Sequence, residues 1–256
     1  MLSQKNLVFL LFVIVIITII FSYKNNYGFS LKEGLKIYFI NLKKNRDRWE
    51  NNKSKLPNFH LFDAVDGSKL DVDKLRKKGI LKVKKEWLEK LGKGGIGCAM
   101  SHISVMHKIK KQNEQYGLIF EDDVIIPDNF IEQIKKLEKY FPPTWDIIYL
   151  GGCNVRGKKY NDYFLIPEIK DGHNYCCHAI LFNKKTINNV INVLNPIEEP
   201  IDIQLRTNFN KIKAYFLHPS IFFQNKNLFS DRRFLDNFPQ EKDPNPWYVK
   251  ETQIIE

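Results

Sequence analysis

Residues 116–124 read Tyr116-Gly117-Leu118-Ile119-Phe120-Glu121-Asp122-Asp123-Val124 and decide the fold. The first five are mostly apolar and predict a buried strand. Three adjacent carboxylates follow at its carboxyl end, where like charges repel and are costly to bury unless a cation offsets them. Mg²⁺ and Mn²⁺ bind oxygen ligands, often one or two carboxylates together with phosphates. Taken alone, the segment also fits a solvated acidic turn, so its neighbours decide between the two.

Strands and helices alternate on both sides of this segment. The predicted elements are a strand at 36–41, a second at 59–65 that ends in a turn at 66–67, a helix at 129–140 and a strand at 145–150. This alternation predicts an α/β domain with a mainly parallel central sheet. Ligands of such sheets bind beyond the carboxyl ends of the strands, where Asn41 and the acidic residues lie.

A glycine-rich segment at 94–97 predicts a turn, and apolar residues at roughly every third position from Met100 to Ile109 predict a helix after it. Ser101 and His102 are then expected near the start of that helix, where backbone amides favour anions. Alternatively, Ser101 is the N-terminal cap of the helix. We expect His102 either to orient a phosphate or to hydrogen-bond the acidic residues.

Composition restricts the class of protein. The chain has 256 residues, 43% of them hydrophobic and 27% charged, which suits one globular domain with an appendage. Its net charge is +11, but the lysines are spread out, with neither a basic block nor interleaved aromatics, so nucleic-acid binding is not predicted. The cysteines lack metal-site spacing; one disulfide is compatible with a lumenal domain, but buried thiols are expected for most of Cys98, Cys153, Cys176 and Cys177.

The N-terminus differs from the rest of the chain. Residues 7–21 read LVFLLFVIVIITIIF, without charge, Gly or Pro, and approach the ~17 to 25 residues that span a bilayer. A cleaved signal peptide is the alternative, but Ser22-Tyr23-Lys24 offers no small-x-small cleavage site. We therefore predict a single-pass signal-anchor at 1–23, a short stem at 24–34 and a globular domain at 35–256. Lysines on both sides leave the orientation weakly encoded.

Five short blocks resemble, in the same order, the motifs of glycosyltransferase family 25, which includes lipooligosaccharide glycosyltransferases and collagen galactosyltransferases. The blocks are IYFINL with RDR at 37–48, FDAVDG at 62–67, GIGCAMSH at 95–102, FEDDV at 120–124 and a P…Q…SD pattern at 219–231. The resemblance covers about residues 36 to 232. It implies a GT-A-like nucleotide-diphospho-sugar transferase that is metal-dependent, with Mn²⁺ or Mg²⁺, and inverting. The donor would be a UDP-hexose and the acceptor a glycan, a lipid-linked glycan or a glycoprotein.

The resemblance assigns the metal to the acidic residues. In extended backbone, Glu121 and Asp123 lie on one face and are the paired ligands. A turn after Glu121 would instead bring Asp122 and Asp123 to the ion. Asp122 is otherwise expected to accept hydrogen bonds from sugar hydroxyls. The ion would stabilise the departing diphosphate as a Lewis acid.

The nucleotide is expected near the ends of the first two strands. Arg46 and Arg48 follow the first strand closely enough to bind phosphates, with a solvated helix face as the alternative. Asn41 would bind the base or ribose, as would the segment of Ala64 and Asp66. Asp66 alternatively caps its own turn.

An inverting transfer also needs a group that takes the proton of the acceptor hydroxyl. Asp202 lies in an apolar stretch that resembles the family's P-x-D-x-x-L segment, and such surroundings raise the pKa of a carboxylate. It is alternatively a helix cap. Asp231 is the second candidate, either as the base or as a C-terminal site residue. His178 and His218 are expected to be structural, with ligands to the metal or diphosphate as the alternative. The competing functions are a catalytically inactive, membrane-anchored binding module and a basic protein that binds anionic surfaces.

Overall fold

A computed structural model describes residues 34–56, 59–170 and 172–225, of which residues 90 and 91 are described by their backbone alone. It also describes Val13 and the backbone of 253–255. The predicted anchor at 1–23, the stem at 24–34 and the candidate base Asp231 lie outside these residues, except for Val13 and Gly34. Among the residues that the structure describes, no helix is both long and apolar enough to cross a membrane.

The described chain alternates between strands and helices. The strands are β1 Leu35–Asn41, β2 Phe59–Asp63, β3 Tyr116–Glu121, β4 Val124–Ile125, β5 Ile147–Cys153, β6 Arg156–Lys159, β7 Phe164–Pro167, β8 Tyr175–Asn183, β9 Ala214–Leu217, β10 Phe223–Gln224 and β11 Gln253–Ile255. The α-helices are α1 Arg46–Glu50, α2 Val72–Lys77, α3 Lys85–Lys111, α4 Phe130–Leu137, α5 Ile187–Val193 and α6 Ile201–Thr207. Short 3-10 turns lie at Lys43–Asn45, Lys53–Lys55, Gly67–Lys69 and Glu138–Tyr140.

Nine strands form one sheet in the order β11-β6-β7-β9-β5-β8-β3-β1-β2, and β4 pairs with β10 separately. The parallel pairs are β1 with β2 and β3, β5 with β9, and β6 with β11. Antiparallel β8 lies between β3 and β5, and antiparallel β7 lies between β6 and β9. The predicted α/β class is confirmed. The sheet is mixed, with its parallel β2-β1-β3 part next to the acidic residues.

Hydrophobic layers cover both faces of the sheet, as the uninterrupted apolar run of β3 predicts. Because strand side chains alternate between faces, Ile119 packs in the layer that contains α3, α5 and α6. Leu118 and Phe120 pack in the opposite layer with Phe130 and Ile134 of α4. Burial of each of these side chains contributes about 1.5–3 kcal/mol, which holds the end of β3 firmly between the layers.

Residues 94–97 are helical, so the predicted glycine turn there is wrong. The break lies instead at Gly92, with φ 59° and ψ −175°, and α3 consists of two helices that meet at this kink. Gly97 instead permits close packing, since a Cβ there would lie 2.5 Å from the carbonyl oxygen of Val65. Ser101 and His102 consequently lie inside α3, so the expectation that they occupy the start of a helix, with Ser101 as its cap, is also wrong.

The strand that carries the acidic residues ends at Glu121. Asp122 and Asp123 form a turn that leads into β4, whose Val124 pairs with Gln224 of β10. The backbone is therefore not extended through Asp123, and the geometry that would pair Glu121 with Asp123 on one strand face is absent. The turn considered as the alternative is the arrangement that the structure contains.

Candidate active site

The carboxyl ends of β1 and β3 bring Asn41 to the acidic turn. These strands are parallel, with Ile40 opposite Glu121, so Asn41 and the following acidic residues lie at one edge of the sheet. The Asn41 side chain is fully buried, and its Nδ2 donates a hydrogen bond to Asp122 Oδ2 at 2.8 Å. Asn41 Oδ1 is also buried and accepts no hydrogen bond from the residues that the structure describes. An amide oxygen in this setting fits a donor group or a cation from a ligand.

Asp122 also contacts Arg48, one of the two arginines predicted to bind the phosphates of the nucleotide. Arg48 Nη1 lies 3.2 Å from Asp122 Oδ1, and the two side chains are only 13% and 17% exposed. Burial raises the pKa of Asp122, and the nearby Arg48 and Asn41 partly offset that rise. Arg48 is therefore held at the sheet edge and is not part of a solvated helix face. Arg46 differs, because its Nη2 pairs with Asp63 Oδ1 at 2.8 Å in an exposed ion pair.

Glu121 points into the layer of α3. Its Oε1 lies 2.9 Å from Nε2 of the fully buried His102 and 3.7 Å from Cys98 Sγ. Burial lowers the pKa of His102, but the contacts with Cys98 and Glu121 outweigh burial and raise it to about 9. The imidazolium is therefore the neutral-pH form, and it offsets the carboxylate of Glu121. Of the two roles predicted for His102, the structure contains the hydrogen bond to the acidic residues.

Asp123 faces a third element, β10. Gln224 Nε2 donates to Asp123 Oδ2 at 2.6 Å, and the Asn225 amide donates to the Asp123 carbonyl oxygen at 2.6 Å. The three consecutive carboxylates thus diverge toward α3, toward β1 with α1, and toward β10. Each has its own partner, which explains how three adjacent acids coexist at one strand end.

Hydrogen bonds hold the segment after β2, residues 64–68, at the same edge of the sheet. The Ala64 amide donates to the Asn41 carbonyl oxygen at 3.0 Å. Ser101 Oγ donates to the Gly97 carbonyl oxygen at 2.7 Å and accepts from the Val65 amide at 2.8 Å. Asp66 accepts from both the amide and the hydroxyl of Ser68, so its side chain caps the local turn, and the Ser68 hydroxyl lowers the pKa of Asp66.

Asp202 lies in the first turn of α6, beside the start of β8. Its Oδ1 accepts from the Ile203 amide at 3.0 Å, and its Oδ2 lies 3.5 Å from the Cys176 amide nitrogen. Asp202 is not the N-cap residue, since Pro200 occupies that position, but its carboxylate does accept from a first-turn amide, as the alternative of a helix cap requires. Cys176 Sγ also lies 3.6 Å from Gln224 Oε1. A continuous series of contacts therefore joins Asp202 to Asp123.

Two features of this site were missed by sequence reasoning. Cys153 and Cys176 form a disulfide, in which Cys98 and Cys177 take no part. Spacing cannot select this pair, because Cys176 and Cys177 are adjacent and cysteine connectivity is not encoded locally. Gln224 is the second feature; its place in the P…Q…SD block was the only available signal. His178 is structural as expected, since it is buried, its Nε2 lies 3.3 Å from the Phe222 carbonyl oxygen and burial lowers its pKa.

Comparison with known proteins gives the family. The chain is 35% identical over 127 residues to the putative glycosyltransferase R655 of Acanthamoeba polyphaga mimivirus, covering 46% of this chain and 38% of that protein. It is 30% identical over 128 residues to procollagen galactosyltransferase 1-A of Xenopus laevis, covering 45% of this chain and 21% of the relative. The inactive glycosyltransferase 25 family member 3 of Homo sapiens is 30% identical over 140 residues, covering 48% and 23%.

The chain thus spans well under half the length of these curated relatives. Among solved structures, the glycosyltransferase GlyE of Streptococcus pneumoniae matches with a TM-score of 0.36 and 11% identity, over 72% of this chain and 45% of that one. The model of glycosyltransferase family 25 (LPS biosynthesis protein) matches residues 35–221, which is most of the described domain. The chain belongs to glycosyltransferase family 25.

Proposed function

We propose that this protein is a metal-dependent, inverting glycosyltransferase that moves a hexose, galactose or glucose, from a UDP-sugar to a hydroxyl group. The observation that carries this proposal is the contact of Asp122 with Arg48 and Asn41 at the carboxyl edge of parallel strands, with Asp123 next in the same turn. That edge is where sheets of this class bind ligands. The proposed acceptor is a glycan, a lipooligosaccharide or hydroxylysine in a glycoprotein. The domain that carries out the transfer is GT-A-like.

The donor set of the acidic turn fits a hard divalent cation. Asp122 and Asp123 supply carboxylate oxygens, the ligand type that such ions prefer. Asp123 is the first-ranked ligand for Mn²⁺ or Mg²⁺, with Asp122 as the second, whereas Glu121 is already paired with His102. When bound, such an ion neutralises charge on a departing diphosphate.

The chain's own residues have distinct tasks in the proposed transfer. Arg48, fixed by Asp122, binds donor phosphate, because guanidinium groups form strong, charge-assisted hydrogen bonds with phosphate oxygens. Asn41 Oδ1 accepts a hydrogen bond from the donor's base or ribose. Asp202 Oδ2 takes the proton of the acceptor hydroxyl as general base. Its contact with the Cys176 amide orients that carboxylate.

The N-terminal run at 7–21 supports attachment of the enzyme to a membrane as a single-pass protein with a signal-anchor. Such an attachment would favour an acceptor at or near the membrane surface. Detergent-free extraction should then leave the protein in the membrane fraction, and full recovery in the soluble fraction would overturn this part of the proposal.

The function is tested by calorimetric titration of the full chain, kept in mild detergent, with UDP-galactose, UDP-glucose and UDP. Binding is expected with Mn²⁺ and not with EDTA, and it should be lost in Asp123→Ala. Asp162→Ala removes a carboxylate that is 82% exposed and pairs only locally with Lys159, so it serves as the matched control and should bind normally. If the folded protein binds no nucleotide, the transferase proposal is wrong and the inactive binding module replaces it.

A further inference from the structure

The disulfide between Cys153 and Cys176 lies between Asp123 and Asp202, two of the carboxylates that the proposed reaction uses. Cys153 ends β5 and Cys176 is the second residue of β8. The register of these strands shifts on either side of Gly151, so the covalent bond joins them where their hydrogen-bonded ladder is irregular. Its position makes the disulfide part of the wall of the site.

On one side, the disulfide contacts Gln224, the partner of Asp123. Gln224 Oε1 lies 3.6 Å from Cys176 Sγ and 4.0 Å from Cys153 Sγ, while its Nε2 donates to Asp123 Oδ2 at 2.6 Å. Sulfurs of a disulfide carry no hydrogen, so the contacts with Oε1 are packing contacts. They confine the carboxamide in the orientation that directs its NH₂ group toward the carboxylate.

On the other side, the backbone of Cys176 contacts Asp202. Cys176 has a φ of 71°, in the left-handed region that a residue with a Cβ rarely adopts. This conformation directs its amide toward Asp202 Oδ2 at 3.5 Å. A cross-link to β5 at the same residue opposes relaxation of that backbone toward an ordinary strand geometry.

We propose that the Cys153–Cys176 disulfide is a positioning element of the transfer site, which orients Gln224 against Asp123 and the Cys176 amide against Asp202. This inference rests on the proposed function. A dithiol can break the S–S bond by giving two electrons and two protons to the two sulfurs while it becomes a cyclic disulfide. Cys176 is then no longer tied to β5, so the sulfurs no longer hold the Gln224 carboxamide and the Cys176 amide in place. Metal-dependent nucleotide binding therefore depends on thiol redox state.

The test compares the full chain before and after reduction with dithiothreitol, which is removed under inert gas before titration. Alkylation and mass spectrometry count the thiols in each sample. With Mn²⁺ present, reduction should raise the Kd for UDP about tenfold, the effect of losing one hydrogen bond to a charged group. In Gln224→Leu the oxidised protein should already bind weakly, and reduction should change its Kd by less than about twofold, because the disulfide acts through Gln224.

Cys177→Ala is the matched control, since it removes the adjacent buried thiol and retains the disulfide; its Kd should respond to reduction as the wild type does. The double variant Cys153→Ser/Cys176→Ser should have the same Kd for UDP as the reduced wild type. If that variant does not fold, the reduced wild type alone is compared with the oxidised protein. Equal weakening of wild type and Gln224→Leu on reduction would show a merely structural role. Unchanged binding on reduction would also overturn the inference but leave the proposed function intact. Failure of the oxidised wild type to bind any nucleotide would overturn both.

Discussion

Two neighbouring parts of one acidic sequence lie in different surroundings. Glu121 and the fully buried His102, here the core pair, face the hydrophobic layer of α3. Asp122 and Asp123, here the turn pair, contact polar groups from β1, α1 and β10. Glu121 and Asp122 are almost equally exposed, at 14% and 17%, so burial alone does not separate them. What separates them is the element that each side chain faces.

This difference indicates different tasks for adjacent acids. A buried ion pair is costly to break, because removal of one partner leaves an uncompensated charge in the core. Polar groups gathered at a sheet edge can exchange their contacts for those of a ligand. We therefore expect substitutions in the turn pair to affect binding and rate, and substitutions in the core pair to affect folding.

The largest effect is expected from Asp123→Asn. Loss of one charge at the proposed metal site should lower kcat for the proposed hexose transfer by about 10²–10³-fold, a range typical for removal of one preorganised electrostatic contact. The thermal unfolding temperature should change little, because the amide retains a polar group beside Gln224. Single-turnover transfer and calorimetric unfolding are the measurements. A large fall in unfolding temperature with normal kcat per folded molecule would place Asp123 with the core pair.

Glu121→Ala should have the opposite profile. It leaves the His102 imidazolium buried without its carboxylate, which should lower the free energy of unfolding by about 3 kcal/mol in urea denaturation. The control is Glu89→Ala, which removes a 65% exposed carboxylate paired with Lys85 and should cost less than about 0.5 kcal/mol. Unchanged stability in Glu121→Ala together with loss of Mn²⁺ binding would remove the distinction between the two pairs.

The pH dependence of stability sharpens the same comparison. Contacts with Cys98 and Glu121 raise the pKa of His102 from 6.5 to about 9 in the folded protein, so their stabilisation of the imidazolium is fully present below pH 6.5 and is lost as pH rises through about 9. Between these values the wild type should lose up to about 3 kcal/mol relative to His102→Gln, measured as the difference between their urea unfolding free energies. Added Mn²⁺ should not move this transition. A shift with Mn²⁺ would show that Glu121 contacts the ion.

The sequence predicted the strands better than it predicted how the elements meet. The apolar run before Glu121 identified β3, because alternation between two buried layers is a local property. The glycines at 94–97 were assigned to a turn, although they are helical. A turn and a close backbone contact both favour glycine, and at Gly97 the reason is the contact with Val65. Gln224 lies 101 positions from Asp123, and no local pattern encodes that contact. The divergence of three adjacent carboxylates likewise depends on partners from separate parts of the chain.

The smallest effect concerns the two arginines that follow β1. Arg48→Ala should raise the Kd for UDP with Mn²⁺ about tenfold, because it removes a guanidinium held at the sheet edge by Asp122 and leaves that carboxylate without its counter-charge. Arg46→Ala should change the Kd less than about twofold, since its ion pair with Asp63 is exposed and such pairs contribute roughly 0–1 kcal/mol. The two residues share a charge, a helix and a motif, so each is the control for the other. Equal losses would mean that net positive charge near β1, and not contact with the turn pair, attracts the nucleotide; only unequal losses support a site built around Asp122.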